Sequence, residues 1–218
     1  MMVYCRGVEP ARCSNRLGYR EGSVDPLARA FELRQEADYV MQSVGLHGIL
    51  APYGPVAFIG SYFLDVMAYP DIDLCIPPVS IEQLFRIGGR IAASELVAEV
   101  VFQRSKLPDL PGGLYLKPRI ETGAWGRPWK VDIWSLSDAI IAQRTAEMQR
   151  FKAAMTEALR EQIIRYKCSI LTQAGRTPMY SGFHIYKAFI DEGLSDFGEV
   201  TRYLVAHGVQ VEAPREGT

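Results

Sequence analysis

The 218 residues are 48% apolar and 22% charged, an ordinary balance for a globular chain and long enough for one main core that needs neither disulfides nor metals to close. A formal net charge of -1 gives no footprint for bulk binding to nucleic acid or membrane, and no run of about 18 apolar residues offers a membrane-spanning helix. Cys5, Cys13, Cys75 and Cys168 lack the spacing of a zinc site or a secreted disulfide framework, and the N-terminus lacks the apolar core of a signal peptide, so a cytoplasmic protein is expected by elimination.

Residues 1–24 mix Gly, Arg, Ser, Pro and Asn without helical or strand period and read as a flexible leader. Asp25 followed by Pro26 opens a helix whose apolar stripe is Leu27, Ala30, Phe31, Ala37, Val40, Met41 and Val44, ending at Gly45. His47 follows as a capping or surface residue. Residues 55–60 form a short apolar strand that turns at Gly60-Ser61, and 62–67 leave room for one or two helical turns before Pro70 forces extended chain. Residues 71–76 are the second strand, ended by Pro77-Pro78. Ser80 with Gln83 three residues on is a capping box, opening a helix whose inner face is Ile81, Leu84, Phe85, Gly88, Ile91 and Ala92.

Three further extended segments follow at 97–103, 113–121 and 129–134, with connections short enough for antiparallel neighbours. Leu114, Leu116 and Ile120 alternate with Tyr115, Lys117, Arg119 and Glu121, and Val131 and Ile133 with Lys130, Asp132 and Trp134. From Ser137 the chain reads as helix. Phe151, Met155, Leu159, Ile163, Tyr166 and Ile170 step by three and four as one long amphipathic helix ending before Gly175. Two shorter helices at 182–192 and 195–207 are punctuated by Gly193 and Gly208. Tyr180, His184, Tyr186 and Lys187 gather at the start of the first of these, either lining a pocket or packing the helix on the sheet.

Two acids inside the apolar strand 71–76 call for a reason. Side chains alternate along a strand, so Asp71 and Asp73 share a face with Cys75 while Ile72, Leu74 and Ile76 take the other. The two carboxylates stand roughly 7 Å apart at the backbone, within reach of one hard cation. An exposed edge strand would also account for them. Asp132, between Val131 and Ile133, repeats the local pattern.

In order these features are a strand, Gly60-Ser61, nine residues, Asp71-Ile72-Asp73-Leu74, and later Asp132 on another strand. Over residues 50–136 this resembles the polymerase-β-like nucleotidyltransferase superfamily. The resemblance implies an α+β fold, a small mixed and largely antiparallel sheet flanked by helices, with a catalytic domain at 25–136 and a C-terminal helical region at 137–218. It implies that Asp71, Asp73 and Asp132 hold Mg²⁺, as a two-metal site, and that Gly60 and Ser61 grip the phosphates of a nucleoside triphosphate, with ATP the expected donor. Lys117, Arg119 and Lys130 would neutralise the triphosphate; whether the first two share the face of Asp132 is open. The implied reaction moves a nucleoside monophosphate to a hydroxyl of a small molecule or protein and releases pyrophosphate; long nucleic acid is not expected as a partner. A non-catalytic nucleotide-binding or interaction protein that retains the fold is the alternative. The chain departs from the family pattern at Asp65, where a glycine is common, and at Pro70, where a small polar residue is.

Overall fold

The structure is a computed structural model, described here for residues 25–123 and 125–211; the leader expected at 1–24 lies outside them. Helix α1 (Pro26–Ser43) starts where Asp25 accepts a hydrogen bond from the Ala28 amide at 3.3 Å, with Pro26 in the first turn. Its buried side is Ala30, Leu33, Ala37 and Val40, spaced three and four apart. Phe31, expected on this stripe, is 61% exposed, because it sits one residue, about 100° of helical turn, away from Ala30. Short α2 (Leu46–Leu50) follows.

Strand β1 (Ala57–Ile59) runs straight into the five-residue α3 (Gly60–Leu64), and β2 (Asp71–Ile76) has the expected limits. Helix α4 (Ile81–Ala92) carries the reciprocal Ser80–Gln83 capping box. It buries Leu84, Ile87, Gly88 and Ile91, whereas Phe85 is 57% exposed and packs at a tilt against Phe102. Ile87 takes the inner place expected for Phe85, being three residues from Leu84 and four from Ile91. Strands β3 (Val97–Arg104), β4 (Leu114–Ile120) and β5 (Trp129–Ser135) complete one five-stranded sheet of order β1-β2-β5-β4-β3. Only β2 and β5 pair in parallel, so the α+β sheet is mixed and mostly antiparallel.

The two faces of the sheet have different partners. Ile72, Leu74, Ile76, Leu116, Val131 and Ile133 form one core with α1, α2 and α4. The opposite face contributes Ile59 and Cys75 to a second core with the C-terminal helices. The alternation read along β2 is thus realised as two cores, one on each side. The single long helix expected after Ser137 is instead two, α5 (Asp138–Ala154) and α6 (Glu157–Ser169). Met155 is extended between them, and the Thr156 hydroxyl caps α6 by accepting from the Leu159 amide at 3.2 Å. The apolar spacing runs through the break because both helices lean on the same core. Helices α7 (Ser181–Ile190) and α8 (Phe197–Ala206) follow. No helix among the described residues is long and apolar enough to cross a membrane.

The β4–β5 connection is tied to α1 through one carboxylate. Glu36 accepts the indole N–H of Trp125 on Oε2 and that of fully buried Trp129 on Oε1, both at 2.6 Å. Gly123, in a left-handed conformation (φ +77°), leaves the room in which that carboxylate lies; a Cβ there would collide with it. Removing the acceptor from a buried indole costs about 1–3 kcal/mol. Glu36→Ala is therefore expected to lower the midpoint of urea unfolding by that order with an unchanged slope, and to red-shift tryptophan emission in the native state. Wild-type stability in the variant would show that the two indoles do not depend on Glu36.

Candidate active site

The parallel register of β2 and β5 sets Asp73 beside Asp132 and Asp71 beside Lys130, while β1 sets Ile59 beside Asp73. Residues in register share a face, so the strand pairing by itself brings the three acids together. One carboxylate oxygen from each of Asp71, Asp73 and Asp132 lies within 4.8 Å of the other two. Asp71 is 5% exposed and Asp132 9%.

Lys130 sits among these acids, its Nζ 3.2 Å from Asp71 Oδ1 and 2.8 Å from Asp132 Oδ2. The Tyr115 hydroxyl donates to Asp132 Oδ1 at 2.6 Å. Asp71 Oδ1 is close to the ammonium but not aligned with any donor, which leaves it a buried oxygen without a hydrogen bond. Burial lifts the Asp71 carboxyl above the ordinary carboxylate range, Lys130 opposing and Asp132 adding to the shift. Asp73 is lifted well above that range by burial and then by the charges of Asp71 and Asp132. Burial alone would depress Lys130; the combined charges of Asp71, Asp132 and Asp73 outweigh it and raise the ammonium's pKa. One ammonium against three carboxylates leaves a negative balance, and an all-oxygen carboxylate set with an orphaned oxygen suits a hard divalent cation such as Mg²⁺.

Gly60 supplies the clearance that lets this happen. It is left-handed (φ +65°), and a Cβ there would run into the Asp73 carboxylate. Ser61 is buried beside it. The helix expected over 62–67 begins two residues earlier, at Gly60, and stops at Leu64, so its single turn adds little helix-terminus field for an anion. It stops because Asp65 takes the left-handed conformation (φ 60°, ψ 43°). Aspartate is one of the few residues with a side chain that enters this region readily, which explains how it stands where the family pattern has glycine. Arg160 fixes it, its Nε 2.9 Å from Asp65 O and 3.0 Å from Asp65 Oδ2. Pro70 keeps its strand role, its carbonyl accepting from the Lys130 amide at 3.4 Å.

Two cavities meet at the acids. A larger one of about 1210 Å³ is lined by Asp132 together with Lys117, Arg119 and Arg127. A smaller one of about 690 Å³ is lined by Gly60, Ser61 and Lys167. Asp71, Asp73 and Tyr180 border both. Lys117 and Arg119 therefore share the face of Asp132 and lie across the acids from Gly60-Ser61; Arg119 also pairs with Glu99 at 2.9 Å. His184 and Tyr186 line the smaller cavity, whereas Lys187 pairs with Asp191 at 3.1 Å.

Lys167 was not singled out in the sequence. It is 2% exposed, its Nζ donates to Val66 O at 2.7 Å, and burial brings its pKa down to about 8 despite the opposing charge of Asp71. The available signal was a lysine placed four residues after Ile163 and three after Ile164, inside the apolar spacing of α6.

No protein-family model matches the chain, and no curated protein gives a significant match. Among solved structures the chain is similar to the Cid1 poly(U) polymerase with MgGTP bound, at TM-score 0.45 and 15% identity over 65% of this chain and 43% of that one. A second Cid1 structure, described for RNA terminal uridylyl transferase activity, gives TM-score 0.45 and 16% identity over 72% and 45%. JHP933 from Helicobacter pylori gives TM-score 0.32 and 12% identity over 81% and 74%. The chain spans less than half the length of these two Cid1 structures. Likenesses this remote have no bearing on what the chain does.

The raised carboxyls set a pH dependence. Asp71 and Asp73 bind protons more tightly in the folded than in the unfolded state, so above about pH 4, near the unfolded value, these two carboxyls withdraw stability from the metal-free protein as pH rises. Melting curves across this range should fall with pH in EDTA and fall less in MgCl₂. Asp73→Asn should flatten the EDTA profile and abolish the Mg²⁺ effect. A metal-free protein that gains stability over the same range would contradict the strained arrangement of acids.

Proposed function

We propose that the chain is a Mg²⁺-dependent nucleotidyltransferase of the polymerase-β-like kind, moving a nucleoside monophosphate from a nucleoside triphosphate, with ATP the expected donor, to an acceptor hydroxyl. The observation that carries this reading is the meeting of Asp71, Asp73 and Asp132 within 4.8 Å, next to Gly60-Ser61 and with one ammonium, Lys130, against the three carboxylates. A bound divalent cation would supply charge neutralisation at the transferring phosphoryl group and favour ionisation of the acceptor hydroxyl.

The chain's own residues divide the remaining work by side. Gly60, Ser61 and Lys167 border the smaller cavity, where the donor's phosphates would lie against backbone and one buried ammonium. An anion there favours the protonated lysine, whose pKa is otherwise brought down to about 8 by burial. Asp132 faces the larger cavity, oriented by Tyr115 and Lys130, and would hold the acceptor hydroxyl for in-line attack on the α-phosphorus. The acceptor O–P bond forms, the bond from the α-phosphorus to the bridging oxygen breaks, pyrophosphate leaves, and the hydroxyl proton passes to Asp132 or solvent. Lys117 and Arg119, offered by the sequence for the triphosphate, fall on the acceptor side in this reading, and Lys130 serves as counter-ion to the acids.

Lys130 also favours a second reading, a nucleotide-binding protein without transfer, since its ammonium already spans Asp71 and Asp132. Pyrophosphate release separates the two. With MgATP and a panel of small and protein hydroxyl acceptors, Asp73→Ala and Asp132→Ala should each cut release by about a thousandfold with unchanged circular dichroism. MgATP-dependent thermal stabilisation with no release by the wild-type chain would instead establish the second reading.

A further inference from the structure

The larger cavity is ringed by cations to a degree that composition does not explain in a chain of net charge -1. Besides Lys130 it is lined by Arg104, Lys106, Lys117, Arg119, Arg127 and Arg176, and its only acids are the three of the proposed metal site. Arg119 has Glu99 as its partner. Lys117, Arg127 and Arg176 have no carboxylate within ion-pair distance among the described residues. The smaller cavity differs: its Arg144 is paired with Asp109 at 3.3 Å, and Lys167 is satisfied by a carbonyl.

Arg127 and Arg176 reach this cavity from two separate connections, β4–β5 and α6–α7, and both connections are anchored. The first is held by the two indoles on Glu36. The second is closed on itself, the Arg176 carbonyl accepting from Thr172 N at 2.8 Å and from Thr172 Oγ1 at 2.9 Å. Arg127 joins them, donating from Nη1 to Ala174 O at 3.2 Å while its guanidinium lies over the Tyr69 ring at 5.4 Å. Its Nε–H is buried with no acceptor. Burial depresses the Arg127 pKa, and the charges of Arg176 and Arg119 depress it further, though Asp71 and Tyr69 oppose them. Two guanidinium groups facing one cavity, that of Arg127 with an unused buried donor, repel unless an anion lies between them.

We infer that Arg127 and Arg176 form an anion subsite for a phosphate group carried by the acceptor. Calling the occupant the acceptor rests on the transferase reading above, because this cavity contains Asp132 and does not contain Gly60 or Ser61. Phosphate is favoured over carboxylate because it presents more oxygens to guanidinium forks arriving from two directions and carries up to two charges. A volume of about 1210 Å³ has room for a phosphorylated alcohol with its hydroxyl turned toward Asp132.

The test is calorimetric titration of the full chain in EDTA without nucleotide, using ribose, ribose 5-phosphate and a ribotrinucleotide with a free 5′-hydroxyl. Ribose 5-phosphate, the trinucleotide or both should bind about tenfold or more tighter than ribose; the first points to a small phosphorylated alcohol and the second to backbone phosphates. Arg176→Gln, whose side chain has no hydrogen bond or ion pair among the described residues, and Arg127→Gln should each weaken that binding about tenfold. Arg202→Gln, on exposed α8, should leave it unchanged, and MgATP-dependent stabilisation should survive all three. Equal binding of ribose and both phosphorylated probes, or undiminished phosphate binding in Arg176→Gln, would overturn the subsite. Phosphate binding lost in the arginine variants, in a protein that never releases pyrophosphate, would keep the subsite and remove the transferase reading. Transfer that depends on Asp73 with no phosphate preference would do the reverse.

Discussion

Three carboxylates within one ion's reach repel one another, and much of what surrounds them answers that repulsion. At an effective dielectric near 20, a like-charged pair about 4 Å apart costs on the order of 4 kcal/mol. Three such pairs outweigh what one ammonium close to two of them returns, before the cost of burying the charges is counted. The strands nevertheless impose the meeting. Asp73 and Asp132 are in register on parallel neighbours, and strands packed on both faces cannot slip by one residue without moving every buried side chain to the wrong side. Burial first, and the repulsion added to it, raise the Asp71 and Asp73 carboxyls above the ordinary carboxylate range.

The same strain explains how heavily the approach to β2 is fastened. From the single turn of α3 to the start of β2, basic side chains bind the backbone carbonyls. Arg34 donates to Tyr62 O at 2.8 Å, Lys152 to Leu64 O at 3.4 Å, Arg160 to Asp65 O at 2.9 Å, Lys167 to Val66 O at 2.7 Å and Arg29 to Ala68 O at 2.8 Å. These donors come from α1 on one side and from α5 and α6 on the other. The C-terminal helices are thus part of the apparatus that sets Asp71 and Asp73 in place, and they also wall the smaller cavity. Cationic donors do two things here at once, satisfying backbone acceptors and placing positive charge near the acids.

What could be read from the sequence follows from which interactions are local. Alternation with period two showed that Asp71 and Asp73 share a face and that Asp132 stands with Lys130 and Trp134 on one face of its own strand; that the three acids meet is set by the β2–β5 register, which the sequence does not contain. Gly60 was legible as a close approach, but what approaches it is the Asp73 carboxylate, a contact between strands that no linear pattern contains. Asp65 looked like a weakness because the pattern lists residue types; its left-handed backbone shows that the conformation is kept and a different residue adopts it. Lys167 escaped notice because charges along a helix ordinarily mark its solvent side, whereas here it points inward to a carbonyl. Phe31 and Phe85 misled in the opposite sense. Size and apolarity drew them onto an inner face from which the helical angle excludes them. The break at Met155 is hidden for a third reason: two helices on one core can preserve the spacing of one.

The two cavities share Asp71 and Asp73 and the seam of Tyr69, Thr177 and Tyr180 beside them but differ in their other charged walls, and this division bears on direction. A group-transfer site must present donor and acceptor from opposite sides of the atom transferred if displacement is in line. Gly60, Ser61 and Lys167 lie on one side of Asp71 and Asp73, and Asp132 with the unpaired cations lies on the other. A site built only to hold a nucleotide would need one of these sides. Lys117, Arg127 and Arg176 in the larger cavity have no carboxylate partner among the described residues, in a chain that pairs Arg144, Arg150 and Arg165 with nearby acids, and their mutual repulsion costs stability. In the proposed transferase a second anionic molecule would answer that repulsion, and the electrostatics of this wall would then bear more directly on the acceptor than the acids do.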